Sequence, residues 1–171
     1  ESKLPVHVWV EETRPRNQGA KLTAFELNQM GIPHTIITDN AGGYVMQKGD
    51  VDIALVGADR ISLNGDACNK VGTYKTALAA YDNGIPFYVC APLSTIDVTK
   101  KNGFDGIVIE ERDEDEVRYA RRGRSKIELC SPGSRIKNYG FDITPSRLIT
   151  GIITERGIIK PDKRSILKIK K

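Results

Sequence analysis

The segment V-G-A-D-R-I-S-L-N-G-D-A-C-N-K-V-G-T-Y, Val56 to Tyr74, carries two carboxylates, a guanidinium, an ammonium and two carboxamides directly behind the apolar run Val51 to Val56. An acid facing an amide and an ammonium suits chemistry on polyols: the acid moves protons while the donors hold hydroxyls or a developing oxyanion. Asp59 is therefore the candidate proton-transfer group, with Asn69 and Lys70 as candidate substrate contacts. The same residues also suit a purely local role, with Asp59 capping a turn, Asp66 and Asn69 in Asx-turns and Lys70 solvated. Cys68 is a poorer candidate nucleophile, because no histidine or other base lies near it in the sequence.

A second polar loop, Glu12-Thr-Arg-Pro-Arg-Asn-Gln-Gly19, also follows a strand-like run. Gly19 would let an anion approach the unsatisfied amides that open a helix, with Gln18 and Arg16 as further donors. Neither a phosphate-binding G-x-x-x-x-G-K-[ST] loop nor a G-x-G-x-x-G fingerprint is present, which points away from nucleotides and toward a small phosphorylated metabolite, with no cofactor. Metal is not expected either. His7 and His34 share no ligand spacing with another His, Cys or acid, and Cys68, Cys90 and Cys130 have neither C-x-x-C spacing nor an even count.

These loops need a scaffold, and the apolar pattern supplies one. Val6 to Glu11 alternates as a strand, Gly19 to Met30 has Leu22, Phe25, Leu27 and Met30 at near-helical spacing, and Thr35 to Thr38 reads as a second strand. A short segment through Met46, helical in outline, leads to a third strand at Val51 to Val56. Lys70 to Tyr81 is expected to be a helix with Ala77, Leu78 and Tyr81 on its apolar face, and Phe87 to Cys90 is a fourth strand. Gly31-Ile-Pro33 and Gly84-Ile-Pro86 stop the helices before strands two and four. Strands alternating with helices predict parallel βαβ crossovers, hence an α/β, three-layer Rossmann-like domain with a mainly parallel sheet. Further on, one strand is expected at Gly106 to Ile109 within a polar stretch from Asp105 to Gly140, and a final helix is expected from Thr144-Pro145. Ligands in such sheets bind beyond the carboxyl ends of the strands, where the Glu12–Gly19, Thr38–Gly43 and Gly57–Lys70 loops lie.

At 171 residues the chain fits one domain, and 39% hydrophobic with 28% charged residues is ordinary for a globular protein. No apolar run reaches the roughly 18 residues of a membrane span, and the first residues lack the basic and apolar regions of a signal peptide, so the chain reads as cytoplasmic without membrane contact. The net charge of +4 is concentrated in Arg118 to Lys126 and Lys160 to Lys171. With only Tyr119 interleaved, these read as a solvated loop and tail, with no nucleic-acid partner.

E-T-R-P-x-x-Q-G-x-x-L-T-A-x-E-L at Glu12 to Leu27, I-T-D-N at Ile37 to Asn40, V-G-A-D-R-I-x-x-N-G-D-x-x-N-K-x-G-T-Y at Val56 to Tyr74 and P-F-Y-V-x-A-P-L-S-T-I-D at Pro86 to Asp97 together resemble the methylthioribose-1-phosphate isomerases. I-E-E-R at Ile109 to Arg112, F-D-I-T-P at Phe141 to Pro145 and I-T-E-R-G at Ile153 to Gly157 extend the resemblance. Ribose-1,5-bisphosphate isomerases and the regulatory subunits of the translation factor that exchanges nucleotide on initiation factor 2 share the N-G-x-x-x-N-K-x-G-T-Y string. Arg60, the P-L-S-T-I-D string and Gln18-Gly19 favour the methylthioribose enzymes. The resemblance implies an aldose-ketose isomerisation of 5-methylthioribose 1-phosphate to 5-methylthioribulose 1-phosphate in methionine salvage, by a homodimer. It implies acid/base work for Asp59 and substrate contact for Gln18, Gly19, Asn69 and Lys70. In that family a helical N-terminal region with a catalytic cysteine precedes the Rossmann-like half. The chain is therefore expected to correspond to the C-terminal half of a longer protein and to be inactive when isolated. Ile158-Ile159 and Leu148 to Ile153 are apolar enough for either a core or a subunit contact.

Overall fold

The computed structural model describes residues 5–170. In chain order, β1 (Val8–Glu11) leads through a π-helical turn (Gly19–Thr23) into α1 (Ala24–Gln29), followed by β2 (His34–Ile37) and α2 (Gly42–Gln47). Next come β3 (Ala54–Val56), β4 (Arg60–Ser62), β5 (Ala67–Lys70), α3 (Thr73–Asp82), β6 (Phe87–Cys90) and β7 (Ile96–Asp97). The remainder comprises α4 (Gly103–Gly106), α5 (Asp115–Arg118), β8 (Tyr119–Arg122), β9 (Ser125–Glu128), β10 (Phe141–Thr144), β11 (Gly151–Thr154), β12 (Gly157–Ile159) and α6 (Lys163–Ile169). The α/β class expected from the alternation is what forms, as two compact units.

The first unit comprises residues 5–44 with 112–138. β1 and β2 pair in parallel, from Val8 opposite His34 to Glu11 opposite Ile37, as the intervening helix requires. His7 Nε2 lies 3.1 Å from Thr35 Oγ1, and His34 Nδ1 lies 2.9 Å from the Ile32 carbonyl. The helix turns a different face inward from the one its apolar spacing suggested: Ala24 is buried, whereas Leu22, Phe25 and Met30 are exposed. β8 and β9 form an antiparallel hairpin in the stretch expected to be loop. Its strands carry almost no apolar alternation, and it is tied by Lys126, whose ammonium sits 3.5 Å from the Tyr119 ring centre and 3.0 Å from Asp115.

The second unit comprises residues 45–111 with 139–170. One sheet runs β12-β11-β6-β3, with β6 parallel to both β3 and β11 and a β11–β12 hairpin at its edge. Phe87, Val89 and Ile152 from this sheet pack with Ala77 and Ala80 of α3 and Ile166 of α6. Helix α3 buries Thr73, Ala77 and Ala80, whereas Leu78 and Tyr81 of the expected apolar face are exposed. Small residues on the inner face let the helix approach the strands closely. A second sheet, β10-β5-β4-β7, is mostly antiparallel and was not anticipated; its Ile61, Ala67 and Ile96 join the same core.

Four expectations are corrected. Asn69 and Lys70 do not begin a helix: they end β5, paired with Asp142 and Phe141 of β10. Gly106 to Ile109 is not a strand, because Asn102 caps the helical turn α4 through the Asp105 amide and Val108 beyond it is 96% exposed. Thr144-Pro145 opens only a 3-10 turn, Ser146–Leu148, since the apolar run that follows is drawn into the sheet as β11 beside β6. Gly151 in that run would weaken a helix but suits the strand, where an added Cβ would lie 3.0 Å from the Tyr88 ring. Finally, the basic tail is no solvated coil: Asp162 caps α6 through the Ser165 amide and Ile166 is fully buried. Leu148, Ile149 and Ile152 are likewise buried, Ile159 packs against the core and Ile158 is exposed.

Candidate functional site

Asp59 lies between β3 and β4, exposed, with its amide donating to the Cys68 carbonyl at 2.9 Å. Arg60 begins β4 opposite Cys68, and its guanidinium reaches Asp97 at 3.5 Å. Asp59, Arg60, Asp97 and Lys170, with Ser94 and Thr95, line an open polar cleft of about 390 Å³. The Thr99 hydroxyl, and more weakly Arg60, hold the Asp97 carboxyl below its ordinary range. The P-L-S-T-I-D and G-A-D-R strings thus form two walls of one cleft.

Asn69 and Lys70 are half-buried at the end of β5. Asn69 Nδ2 donates to Thr73 Oγ1 at 2.9 Å, and Thr73 Oγ1 in turn donates to the Lys70 carbonyl at 2.7 Å. The Lys70 ammonium donates to the Gly140 carbonyl at 3.1 Å and lies 4.7 Å from the Phe141 ring centre. The ammonium is tethered, which excludes the freely solvated lysine that spacing alone left open.

Cys68 is no activated nucleophile. Burial, followed by the charges of Asp59 and Asp142 and opposed by Arg60, pushes its thiol up to about 11. A thiol so raised stays protonated at neutral pH, and the thiolate is the reactive form. In native protein at pH 8, iodoacetamide is expected to modify exposed Cys90 before buried Cys68, as read by peptide mass spectrometry. Faster labelling of Cys68 would show that the strand pair around it opens.

In the first unit, Gln18 is exposed and Gly19 buried at the entry to the helix. Thr13 and Asn17 hold positive φ angles of 64° and 57°, which shape the Glu12–Gly19 loop. The Asp39 carboxylate accepts hydrogen bonds from the amides of Thr13 and Arg14, both at 2.7 Å, so the I-T-D-N motif braces that loop. Glycine is required at position 19 by packing: an added Cβ would fall 1.9 Å from the Glu11 carbonyl oxygen. Two first-turn amides are already committed, Ala20 to the Glu12 carbonyl and Lys21 to the Asn17 carbonyl. Arg16 is ion-paired with Glu116.

The sequence model of the Initiation factor 2 subunit family matches residues 1–161. The chain belongs to that family. Within the initiation factor 2 subunit family it is 56% identical, over 171 residues, to a curated protein named methylthioribose-1-phosphate isomerase from Methylobacterium nodulans, a match covering 97% of this chain and 47% of the relative. The crystal structure of 5-methylthioribose 1-phosphate isomerase from Pyrococcus horikoshii aligns with a TM-score of 0.87 at 47% identity, over 95% of this chain and 44% of that one. The structure of subunit delta of translation initiation factor eIF-2B from A. fulgidus aligns with a TM-score of 0.86 at 41% identity, over 96% and 47%. The chain spans about half the length of the curated relatives it matches.

Two TM-scores so close show that the family's fold cannot by itself separate an isomerase from a translation-factor subunit. Separation rests on side chains. Reading the sequence of this initiation factor 2 subunit family member missed Asp97 and Asp142, and gave Asp66 only a local turn where its carboxylate accepts the Gly103 and Ser146 amides. The signal for Asp142 was a charged residue inside an otherwise apolar strand, F-D-I-T. For Asp97 it was an acid closing the P-L-S-T-I-D string.

Proposed function

We propose that the protein carrying this chain is a methylthioribose-1-phosphate isomerase of methionine salvage, converting 5-methylthioribose 1-phosphate into 5-methylthioribulose 1-phosphate. The observation that carries the reading is 56% identity, along 97% of the chain, to a protein of that name. The substrate's anomeric oxygen is phosphorylated, so its ring cannot open spontaneously as that of a free sugar does. In this reading Asp59 donates a proton to the ring oxygen as the ring opens, and Asn69 and Lys70 hold the substrate's oxygens. Gln18 and Gly19 contribute substrate contacts from the loop after β1. A carboxyl that donates a proton at neutral pH has to be desolvated. Asp59 is exposed in this structure, so the reading requires bound substrate and further protein to cover it.

The deciding experiment assays the full-length protein on 5-methylthioribose 1-phosphate and on ribose 1,5-bisphosphate. Preferred turnover of the first supports the reading. Preference for the second reassigns the substrate, and turnover of neither favours a non-catalytic regulatory subunit.

Lys70→Met is expected to weaken binding of the anionic substrate and to flatten the salt dependence of that binding, because the ammonium acts as a point charge. Methionine keeps an unbranched apolar side chain of similar length while removing the ammonium from the Phe141 ring and the Gly140 carbonyl. Calorimetric titrations at two ionic strengths check this; unchanged affinity at low salt would remove Lys70 from the site. The reading also places the enzyme in the cytoplasm as a homodimer. Sedimentation of the full-length protein at micromolar concentration, showing monomer alone, would refute the dimer.

A further inference from the structure

We propose that Asp142 is a positioning residue for Asn69 and Lys70, clamping the turn that follows them onto strand β10. The inference rests on the substrate-contacting roles proposed for those two residues and adds the group that sets their geometry.

β10 pairs with β5 so that Asp142 is opposite Asn69 and Phe141 opposite Lys70. Beyond Lys70 only Val71 and Gly72 separate the strand from α3, and Gly72 makes the bend at a φ of 104°. The amides that open a helix need acceptors from outside it. The Asp142 carboxylate supplies them from the neighbouring strand, taking the Gly72 amide at 2.7 Å on one oxygen and the Tyr74 amide at 3.1 Å on the other. Those two amides flank Thr73. Thr73 Oγ1 is the atom that receives the Asn69 carboxamide and donates to the Lys70 carbonyl. Asp142 therefore fixes the residue that fixes Asn69.

The adjoining residue of the same strand end acts on Lys70. The Gly140 carbonyl accepts both the Lys70 ammonium, at 3.1 Å, and the Val71 amide, at 3.2 Å. The F-D-I-T-P motif thus holds the N-K-x-G-T motif from across the ladder. Only a residue with two equivalent acceptor oxygens can serve both amides, since asparagine would turn an NH₂ toward one of them. Burial pushes the Asp142 carboxyl above its ordinary value although both amides and Lys75 oppose this. The two amides and Lys75 thus offset part of what burial costs the carboxylate.

The test compares Asp142→Ala, Asp142→Asn, Thr73→Val, Thr73→Ser and Asn69→Ala in the full-length protein, using 5-methylthioribose 1-phosphate. Asp142→Ala is expected to lower kcat/KM by on the order of 10²-fold, mostly through KM, as displacement of binding groups by about 1 Å would. Asp142→Asn keeps one acceptor and should lose less. In an Asn69→Ala background the Asp142→Ala loss should shrink to the part that runs through Lys70, because the rest acts through the contact already removed. If Asp142→Ala does not fold, Asp142→Asn carries the test; Thr73→Val, which breaks the link from the clamp to Asn69, should raise KM, and Thr73→Ser should recover most of that loss. Additive losses, or a lowered Tm with kcat/KM intact, would reduce Asp142 to a helix cap and overturn the inference. If Asn69→Ala and Lys70→Met themselves leave kcat/KM unchanged, the assignment of the contacts fails first and this inference falls with it.

Discussion

Asp59→Asn is expected to lower kcat of the full-length protein by about 10²- to 10⁴-fold, the usual cost of losing a proton-transfer group, with KM little changed. Asparagine keeps the shape and can still accept a hydrogen bond, but it can neither take up nor release a proton near neutral pH. Because Asp59 is exposed and, among the described residues, its hydrogen bond is made by the backbone amide to the Cys68 carbonyl, the substitution should leave the fold intact. The change in unfolding free energy should stay within about 0.5 kcal/mol, as for surface substitutions away from special features. Stopped assays across pH, beside a urea melt of the same preparation, check both halves. Near-normal kcat would remove Asp59 from the mechanism, and a large loss of stability would show that the effect on rate has another cause.

The elements that were legible in the sequence are those whose apolar residues recur locally. β1, β2 and β6 stand where alternation and apolar runs place them, and the helix after Gly19 and α3 follow near-helical spacing. The faces of those helices were not legible. Leu22, Phe25, Leu78 and Tyr81 look like core by type, yet Ala24, Ala77 and Ala80 are the buried residues, and of these only Ala77 was expected on an apolar face. Size at a helix–sheet contact decides burial there, and hydrophobicity alone does not encode it.

Long-range pairing was the other blind spot. Asn69 and Lys70 look like the start of a helix until β10, some seventy positions later, is laid beside them. Nothing within a local window signals that partner. The same holds for β11, where a run that begins after a plausible helix start is claimed by β6. Asp59 stood out without any knowledge of strand pairing, because it belongs to a polar cluster directly behind an apolar strand. Telling the acids apart was harder: Asp59 and Asp66 stand seven positions apart in one polar segment with the same side chain, and only their surroundings, one exposed and one buried, distinguish them.

Asp66→Ala should therefore act on stability where Asp59→Asn acts on rate, destabilising the protein by about 3 to 5 kcal/mol as three hydrogen bonds to one carboxylate are lost. Asp66 is 4% exposed, and its carboxylate joins three segments. One oxygen accepts the Ser146 amide at 2.9 Å, where the chain leaves β10; the other accepts the Gly103 amide at 3.0 Å, at the start of α4, and the Asn64 side chain at 2.8 Å. Alanine would leave the buried Gly103 amide and the part-buried Ser146 and Asn64 donors without this acceptor, and each unmet buried donor costs about 1 to 3 kcal/mol. Asparagine would turn an NH₂ toward one of the amides, so it should rescue only in part. Gly103 is packed closely at this point, since an added Cβ would fall 2.7 Å from the Ile143 side chain and 3.0 Å from that of Asp66. Small proteins hold about 5 to 15 kcal/mol in total, so the alanine variant should be marginal at 37 °C. Urea titration of both variants against the parent, at constant m, measures the loss. A shift worth less than about 1 kcal/mol, within the range of an ordinary hydrogen bond, would mean that water reaches the stranded amides and that the loop is not held by this carboxylate.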